Sequence, residues 1–192
     1  LLIEPGFTAT ERDRAGQLYW TAFGTKLRRA FRDEASGLAA VTAALHPERV
    51  LVARNDDEIV GVCGFYQDGR GAVDLTWRQL RAQVGSVGAL RALLVLTPLA
   101  RPLQPGVLIM DGICVAQEHR GRGVGSALLA AVLDIARSRG DHAVQLSVID
   151  SNPRAEALYR RTGFEVASEG SLGPLRTLYG FERYRTMQLR VL

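Results

Sequence analysis

The sequence predicts an α/β domain, and three observations carry that expectation. Two runs, Val107–Val115 and Ala143–Ile149, are apolar and short, as buried strands are. Between them Leu128, Leu129, Val132, Leu133 and Ala136 recur at the spacing of one helix face. The chain has 192 residues, which suits one domain of ordinary size with a substantial core.

In chain order, Leu1 to Ile3 reads as a short first strand ended by Pro5-Gly6. Thr8-Ala9-Thr10-Glu11 fits a capping box, with Glu11 placed to reach back to Thr8. Ala15, Leu18, Tyr19, Ala22, Phe23, Leu27, Ala30 and Phe31 then follow at helical spacing. A weaker second helix ends near His46-Pro47. Val50 to Arg54 and Glu58 to Gln67 read as strands joined by the polar turn Asn55-Asp56-Asp57. A helix is expected from Thr76 to about Leu96, after which Pro98, Pro102 and Pro105 break the pattern. The segment 68–106 therefore reads as a helical insertion in a single domain covering residues 1–192.

The helix Gly123–Arg139 is closed by Gly140, where glycine suits the left-handed cap. Pro153 to Thr162 is a short helix; Phe164 to Ser168 and Tyr184 to Leu192 are the final strands.

Composition excludes several classes. Apolar residues make up 47% and charged residues 23%, which is a globular balance rather than a disordered one. The net charge of +4 suits an anionic ligand and nucleic acid alike. The arginines are dispersed rather than striped and no aromatic stacking motif accompanies them, so no nucleic-acid partner is expected. Lys26 is the single lysine among 24 basic residues, an arginine bias read as genome composition. Cys63 and Cys114 sit in apolar runs, which argues against a disulfide framework and for a reducing, cytoplasmic setting. Neither they nor His46, His119 and His142 have metal-ligand spacing, so no metal is expected. No charged-then-apolar leader is visible. The stretch Leu90 to Leu99 holds Arg91 and Pro98 and is too short to span a bilayer, so no membrane partner is expected either.

The chemistry concentrates in the run from Val115 to Ser126, which contains Arg120, Gly121, Arg122, Gly123, Val124 and Gly125. It joins a buried strand to a helix. Free N–H groups at such a helix start, with the helix dipole behind them, make a cradle for phosphate. Glycines let the backbone approach closely; Ser126 adds a hydroxyl, and Arg120 and Arg122 add charge. A dinucleotide fold would place an acidic residue about 20 residues on, closing the next strand. Asp150 follows Gly125 by 25 residues and fits that fingerprint poorly.

Arg120, Gly123 and Gly125 form R-x-x-G-x-G, and Asn152, Ala155, Leu158, Tyr159, Gly163 and Phe164 form N-x-x-A-x-x-L-Y-x-x-x-G-F. In this order and separation the two motifs resemble those of the GNAT acetyltransferases. The matching stretch runs from about Leu108 to Glu165. The resemblance implies a mixed, mostly antiparallel sheet splayed at a bulge, with helices on both faces and Gly112 as the bulge residue. It implies acetyl-CoA as acyl-donor substrate, its pantetheine arm paired with Ile113, Cys114 and Val115, its pyrophosphate on the amides from Gly121 to Ser126, and Asn152 holding the arm or capping the next helix. Tyr159 stands where the family has its general acid. Asp111 stands where polyamine-type members carry a glutamate base, while Ser147 occupies the position where some protein-acetylating members carry theirs. The amide near Cys114 would polarise the thioester carbonyl.

Without a histidine partner, Cys114 reads as a buried structural thiol rather than an acyl carrier. His119 reads as a solvent-facing loop residue, with phosphate contact as the alternative. The resemblance implies a small-molecule amine or a peptide as acceptor. Trp77, Leu80, Leu90 and Leu94 cover the acceptor site, close the core, or meet a second copy in a homodimer. The competing class is a coenzyme-binding sensor or partner module without catalysis, against which the retained Tyr159 speaks.

Overall fold

The structure is a computed structural model that describes residues 1–96, 103–173 and 176–191. Its strands are β1 (Leu2–Pro5), β2 (Val50–Asn55), β3 (Glu58–Phe65), β4 (Val107–Val115), β5 (Ala143–Ile149), β6 (Glu165–Ser171) and β7 (Arg183–Arg190). Its helices are α1 (Arg12–Leu27), α2 (Glu34–Ala44), α3 (Trp77–Leu96), α4 (Val124–Arg139), α5 (Pro153–Arg161) and the single turn α6 (Arg176–Tyr179). The strands form one sheet in the order β1-β2-β3-β4-β5-β7-β6. Every neighbouring pair is antiparallel except β4 with β5. The mixed, mostly antiparallel architecture that the resemblance implied is the one found.

Strand alternation divides the core between the two faces of the sheet. Val50, Val52 and Val62 turn to one side, where Leu18, Tyr19, Val41 and Leu80 of α1, α2 and α3 cover them. Leu51, Ala53, Val144, Leu146 and Met187 turn to the other, against Leu128, Leu129, Val132 and Leu133 of α4 and Tyr159 of α5. Gly37 lets α2 approach α1 closely, since a Cβ there would overlap the Trp20 ring.

Local chemistry sets the element ends. Asp56 and Asp57 both take positive φ, 48° and 67°, between the paired residues Asn55 and Glu58. This two-residue turn matches the right-handed twist of its flanking strands. Gly123 and Gly140 bound α4 in the left-handed region, at φ 83° and 74°. Thr8 and Glu11 pair as expected, the Glu11 carboxylate accepting from the Thr8 N–H at 2.8 Å, but they close a 3₁₀ turn that leads into α1. The first helix is shorter than its apolar pattern: α1 gives way to a 3₁₀ turn at Arg28–Ala30. The expected helix from Thr76 is α3, interrupted at Gly85, whose φ of 73° and ψ of 176° are not helical. β6 runs three residues beyond the expected Ser168. The breaks assigned to Pro98 and Pro102 and the end of the last strand at Leu192 lie outside the described residues.

α3 closes the core. Leu80, Ala89, Ala92 and Val95 of α3 are buried, and the Tyr179 hydroxyl donates to the Val95 carbonyl at 2.6 Å. Trp77, Leu90 and Leu94 lie on its exposed side. No helix among the described residues is long and apolar enough to cross a membrane.

The parallel pair positions the site. β4 and β5 are in register only from Val107 to Ile109 against Ala143 to Gln145, and beyond that point they diverge. β4 also carries a bulge on its other side. Gly64 faces Gly112 while Phe65 faces Met110, so Asp111 is the extra residue. The bulge thus falls at Asp111 rather than at Gly112, and Gly112 is absent from the positive-φ positions. Gly112 is needed for space, because a Cβ there would overlap the Phe23 ring.

Arg54 ties the N-terminal turn to the sheet. Its Nε donates to Glu4 at 2.7 Å, and its terminal nitrogens donate to Glu11. The Arg54 guanidinium, helped by Thr8, holds the Glu11 carboxyl down at about 2. A depressed carboxyl stabilises the fold above its unfolded value of 4.5 and loses that contribution as pH falls towards 2. Glu11→Gln is therefore expected to lower stability by about 1–2 kcal/mol at pH 7. Denaturant titrations should show this gap shrinking between pH 4.5 and 2. A gap constant over that range would remove Glu11 from the pH response.

Candidate active site

The divergence of β4 and β5 opens a cleft of about 780 Å³. Its walls come from Thr21, Ala22 and Phe23 of α1, the upper half of β4, the β4–α4 connection, the end of β5, and α5. Of the residues expected at the site, Asp111, Ile113, Cys114, Val115, Arg120, Gly121, Gly123, Val124, Gly125, Ser126, Asn152 and Tyr159 all line it.

The connection leaves backbone amides open at the start of α4. Gly121 and Gly123 take φ 76° and 83°, and a Cβ on either would meet only open space. The first bond into α4 runs from the Ala127 N–H to the Gly123 carbonyl at 3.0 Å, so the amides of Val124, Gly125 and Ser126 have no helical acceptor. No side chain caps this helix start. Gly125 serves packing instead, as its hypothetical Cβ would lie 3.1 Å from a Leu158 methyl. The Arg120 Nε donates to the Val115 carbonyl at 3.0 Å and folds the loop back over the strand end. Arg122 does not line the cleft: between two left-handed glycines its side chain is turned out to solvent.

The open edge of β4 follows from its pairing with β3. The Ala116 N–H donates to the Val60 carbonyl at 2.8 Å. Because hydrogen-bonded and non-bonded pairs alternate along an antiparallel ladder, Cys114 bonds to Val62, while Ile113 and Val115 turn their polar groups towards β5. The amides presented to the cleft are therefore those of Ile113 and Val115, and the Cys114 amide is committed to β3. The Cys114 thiol is buried, and burial pushes it up, against the opposing pull of Arg120 and Arg14. Burial likewise raises Cys63, and Asp111 adds to that. Both are protonated thiols at neutral pH.

Asp111 is held at the narrow end of the opening. Its Oδ2 accepts from the Tyr19 hydroxyl at 3.2 Å and from the Ala72 N–H at 3.0 Å. Gly71 makes room for it, as a Cβ there would come within 2.8 Å of the same oxygen. Across the cleft Tyr159 is buried against Phe164, ring centroids 6.0 Å apart. Asn152 caps α5, its side-chain oxygen accepting from the Ala155 N–H at 3.2 Å, and still lines the cleft.

Several lining residues escaped the sequence reading. Arg154 and Arg161 lie seven positions apart on α5 and so share a face, a spacing visible in the sequence once that helix is placed. His119 also lines the cleft instead of facing only solvent. Phe23 was assigned to the core of a helix, and nothing in the sequence signals that its ring meets Gly112. Trp77, Leu80, Leu90 and Leu94 are absent from the cleft wall.

The acetyltransferase (GNAT) family model matches residues 13–164, most of the chain. The chain belongs to the GNAT acetyltransferase family.

Over 62 residues it is 34% identical to the thialysine N-epsilon-acetyltransferase of Bos taurus, covering 32% of this chain and 36% of that enzyme. The matches span about a quarter to a third of the length of the curated relatives. An N-acetyltransferase from Staphylococcus aureus Mu50 shares the fold, with a TM-score of 0.70 at 17% identity over 98% of this chain and 100% of that one. So does yncA from Salmonella typhimurium, solved with its cofactor acetyl-CoA, at a TM-score of 0.61 and 17% identity over 100% and 94% of the two chains.

A second cleft of about 560 Å³ meets the GNAT cleft at Val148 and Ile149. Its carboxylates are engaged in the structure. Arg160 and Arg185 hold Glu156 below the ordinary carboxylate range. Glu169 accepts from Arg185 at 2.7 Å, and Asp150 accepts from the Arg183 N–H at 3.0 Å.

Buried, protonated thiols should be slow nucleophiles. Neither Cys63 nor Cys114 is expected to react with an aromatic disulfide reagent at pH 8 in the folded protein, and both should react in denaturant. Stoichiometric labelling of Cys114 without unfolding would show an activated thiol in the cleft.

Proposed function

We propose that the chain transfers an acetyl group from acetyl-CoA directly to a primary amine. The observation that carries this reading is the open β4 edge, which runs from a glycine-lined anion cradle to a carboxylate, with a tyrosine on the facing wall. The amides of Val124, Gly125 and Ser126, with Gly121 and Gly123 leaving the approach clear, would hold the pyrophosphate. Ile113 and Val115 would pair with the pantetheine arm as an added strand does, and Asn152 would steady it. Arg154, Arg161 and Arg120 supply positive charge around the phosphates, a set from which Arg122 drops out.

Bound acetyl-CoA supplies an activated acyl thioester. Asp111 takes the proton that the amine loses, directly or through water, as the C–N bond forms. An amide on the open edge of β4 donates to the carbonyl oxygen where negative charge grows. Tyr159 gives its phenolic proton to the departing thiolate as the C–S bond breaks. The proton held by Asp111 then returns to Tyr159 through solvent, and the site is reset. A binding module without catalysis would not require Tyr159 and Asp111 to face one cleft.

The acceptor is a small-molecule amine or a peptide. We read the chain as one N-acetyltransferase domain with a helical insertion at about 68–106. Two buried free thiols support a reducing, cytoplasmic setting. The exposed Leu90 and Leu94 of α3 would be the contact of a homodimer.

Acetyl-CoA is expected to raise the melting temperature, as any ligand of the native state does. Gly123→Asp should abolish that shift, because a carboxylate would enter the phosphate site. The φ of 83° adds a folding cost of about 1–2 kcal/mol. An undiminished shift in folded Gly123→Asp would refute the cradle.

Tyr159→Phe keeps the ring and removes the acid. Single-turnover transfer to an identified amine should slow by about 10²–10⁴-fold with acetyl-CoA affinity preserved. An unchanged transfer step would leave Tyr159 a packing residue.

A further inference from the structure

We propose that Phe23 is the end wall of the acyl pocket and restricts the donor to short acyl groups, acetyl or propionyl. This rests on reading the cleft as an acyl-CoA site. The opening between β4 and β5 narrows to a closed end where Ile109 pairs with Gln145. The phosphate cradle follows the opposite, C-terminal end of β4. A donor anchored there and laid along Ile113 and Val115 points its acyl group down the strand towards Gly112.

At Gly112 the ring of Phe23 rests on bare backbone, so close that even a Cβ would overlap it. The ring is itself fixed from behind. Tyr19 packs against it in a tilted contact with centroids 4.4 Å apart, and the Tyr19 hydroxyl is bonded to Asp111. Phe23 is half-buried and lines the cleft. The narrow end of the opening therefore terminates in an aromatic ring backed by Tyr19 and seated on Gly112. A methyl or ethyl group can meet that ring as an ordinary apolar contact, whereas a longer chain would have to displace it and overpack α1.

The wall can be tested without knowing the acceptor. Calorimetric titration with CoA, acetyl-CoA and hexanoyl-CoA would be run on the parent, Phe23→Leu and Phe23→Ala. In the parent, hexanoyl-CoA is expected to bind at least about tenfold more weakly than acetyl-CoA, the scale on which apolar pockets discriminate chain length. In Phe23→Ala that gap should close to about threefold or less while CoA itself keeps its affinity within about twofold, and Phe23→Leu should fall between. Unchanged CoA binding reports that the cleft is folded. Should Phe23→Ala fail to fold, Phe23→Leu decides, and a gap equal to the parent's overturns the wall.

Equal affinity of the parent for acetyl-CoA and hexanoyl-CoA would also overturn it. So would a Phe23→Ala loss that is the same for all three ligands, because that pattern marks general damage or an acceptor-side role. If the parent binds none of the three, the reading of the cleft as a donor site falls, and the wall with it.

Discussion

β4 and β5 share only three register positions before they part, and the functional half of the molecule depends on that short pairing. Each strand has already committed its other edge, β4 to β3 and β5 to β7 over seven positions. Beyond Ile109 and Gln145 the two remaining edges are no longer paired in register. A backbone group deprived of any partner in a buried setting costs about 1–3 kcal/mol. Such edges are tolerated only where water or a ligand can reach them. The site is therefore a cleft through the sheet rather than a hollow on its surface, and its lining is main chain before it is side chain.

The same divergence explains why residues distant in sequence meet there. The bulge sets Asp111 out of the ladder, and its Oδ2 is then fixed by Tyr19 from α1 and by the Ala72 N–H from the 68–106 segment. The segment that reads as an insertion thus contributes one of the bonds that hold the carboxylate. α1 contributes the rest of that wall through Phe23, which lies on Gly112. On the opposite side Gly125 lets α4 approach Leu158, and that contact sets the distance between the cradle and the helix carrying Tyr159.

Much of this was legible in the sequence. The strand and helix periodicities located the central elements to within a few residues, because Val107–Val115 and the inner face of α4 are buried without irregularity. The glycines at 121 and 123 were legible because their positive φ restricts what can stand there, whatever the tertiary context. What escaped were relations between elements. Gly112 looks like a bulge residue in sequence, but the register shift falls one position earlier, and only the Phe23 ring explains the missing side chain. Arg122 carries the right charge in the right loop, yet the turn that its two glycine neighbours make possible points it away. The Cys114 amide has the right place along β4 and the wrong parity, since the alternation starting from the Val60–Ala116 bond gives the open edge to its neighbours. The break at Gly85 has a local signal, since it falls on an exposed glycine, a poor helix former, with open space around it; the 3₁₀ turn after α1 has no comparable signal.

Charge along the cleft then assigns its two ends different partners. The α4 N-terminus carries the positive end of a helix dipole. Arg120, Arg154, Arg161 and His119 line the same cleft, and Asp111 is the one carboxylate lining it among the described residues, beside Gly112. The Arg120 side chain is partly committed to the Val115 carbonyl, which fixes a guanidinium over the strand end instead of leaving it to swing. On the proposed reading, anionic phosphates would be drawn to the cradle and the amine to the carboxylate, so neither reactant would compete for the other's place. The field alone would not bring the reacting atoms together. On the proposed reading the backbone edge of Ile113 and Val115 would do that, because it spans the distance between the two charged ends and presents the Ile113 and Val115 N–H groups to a chain laid along it.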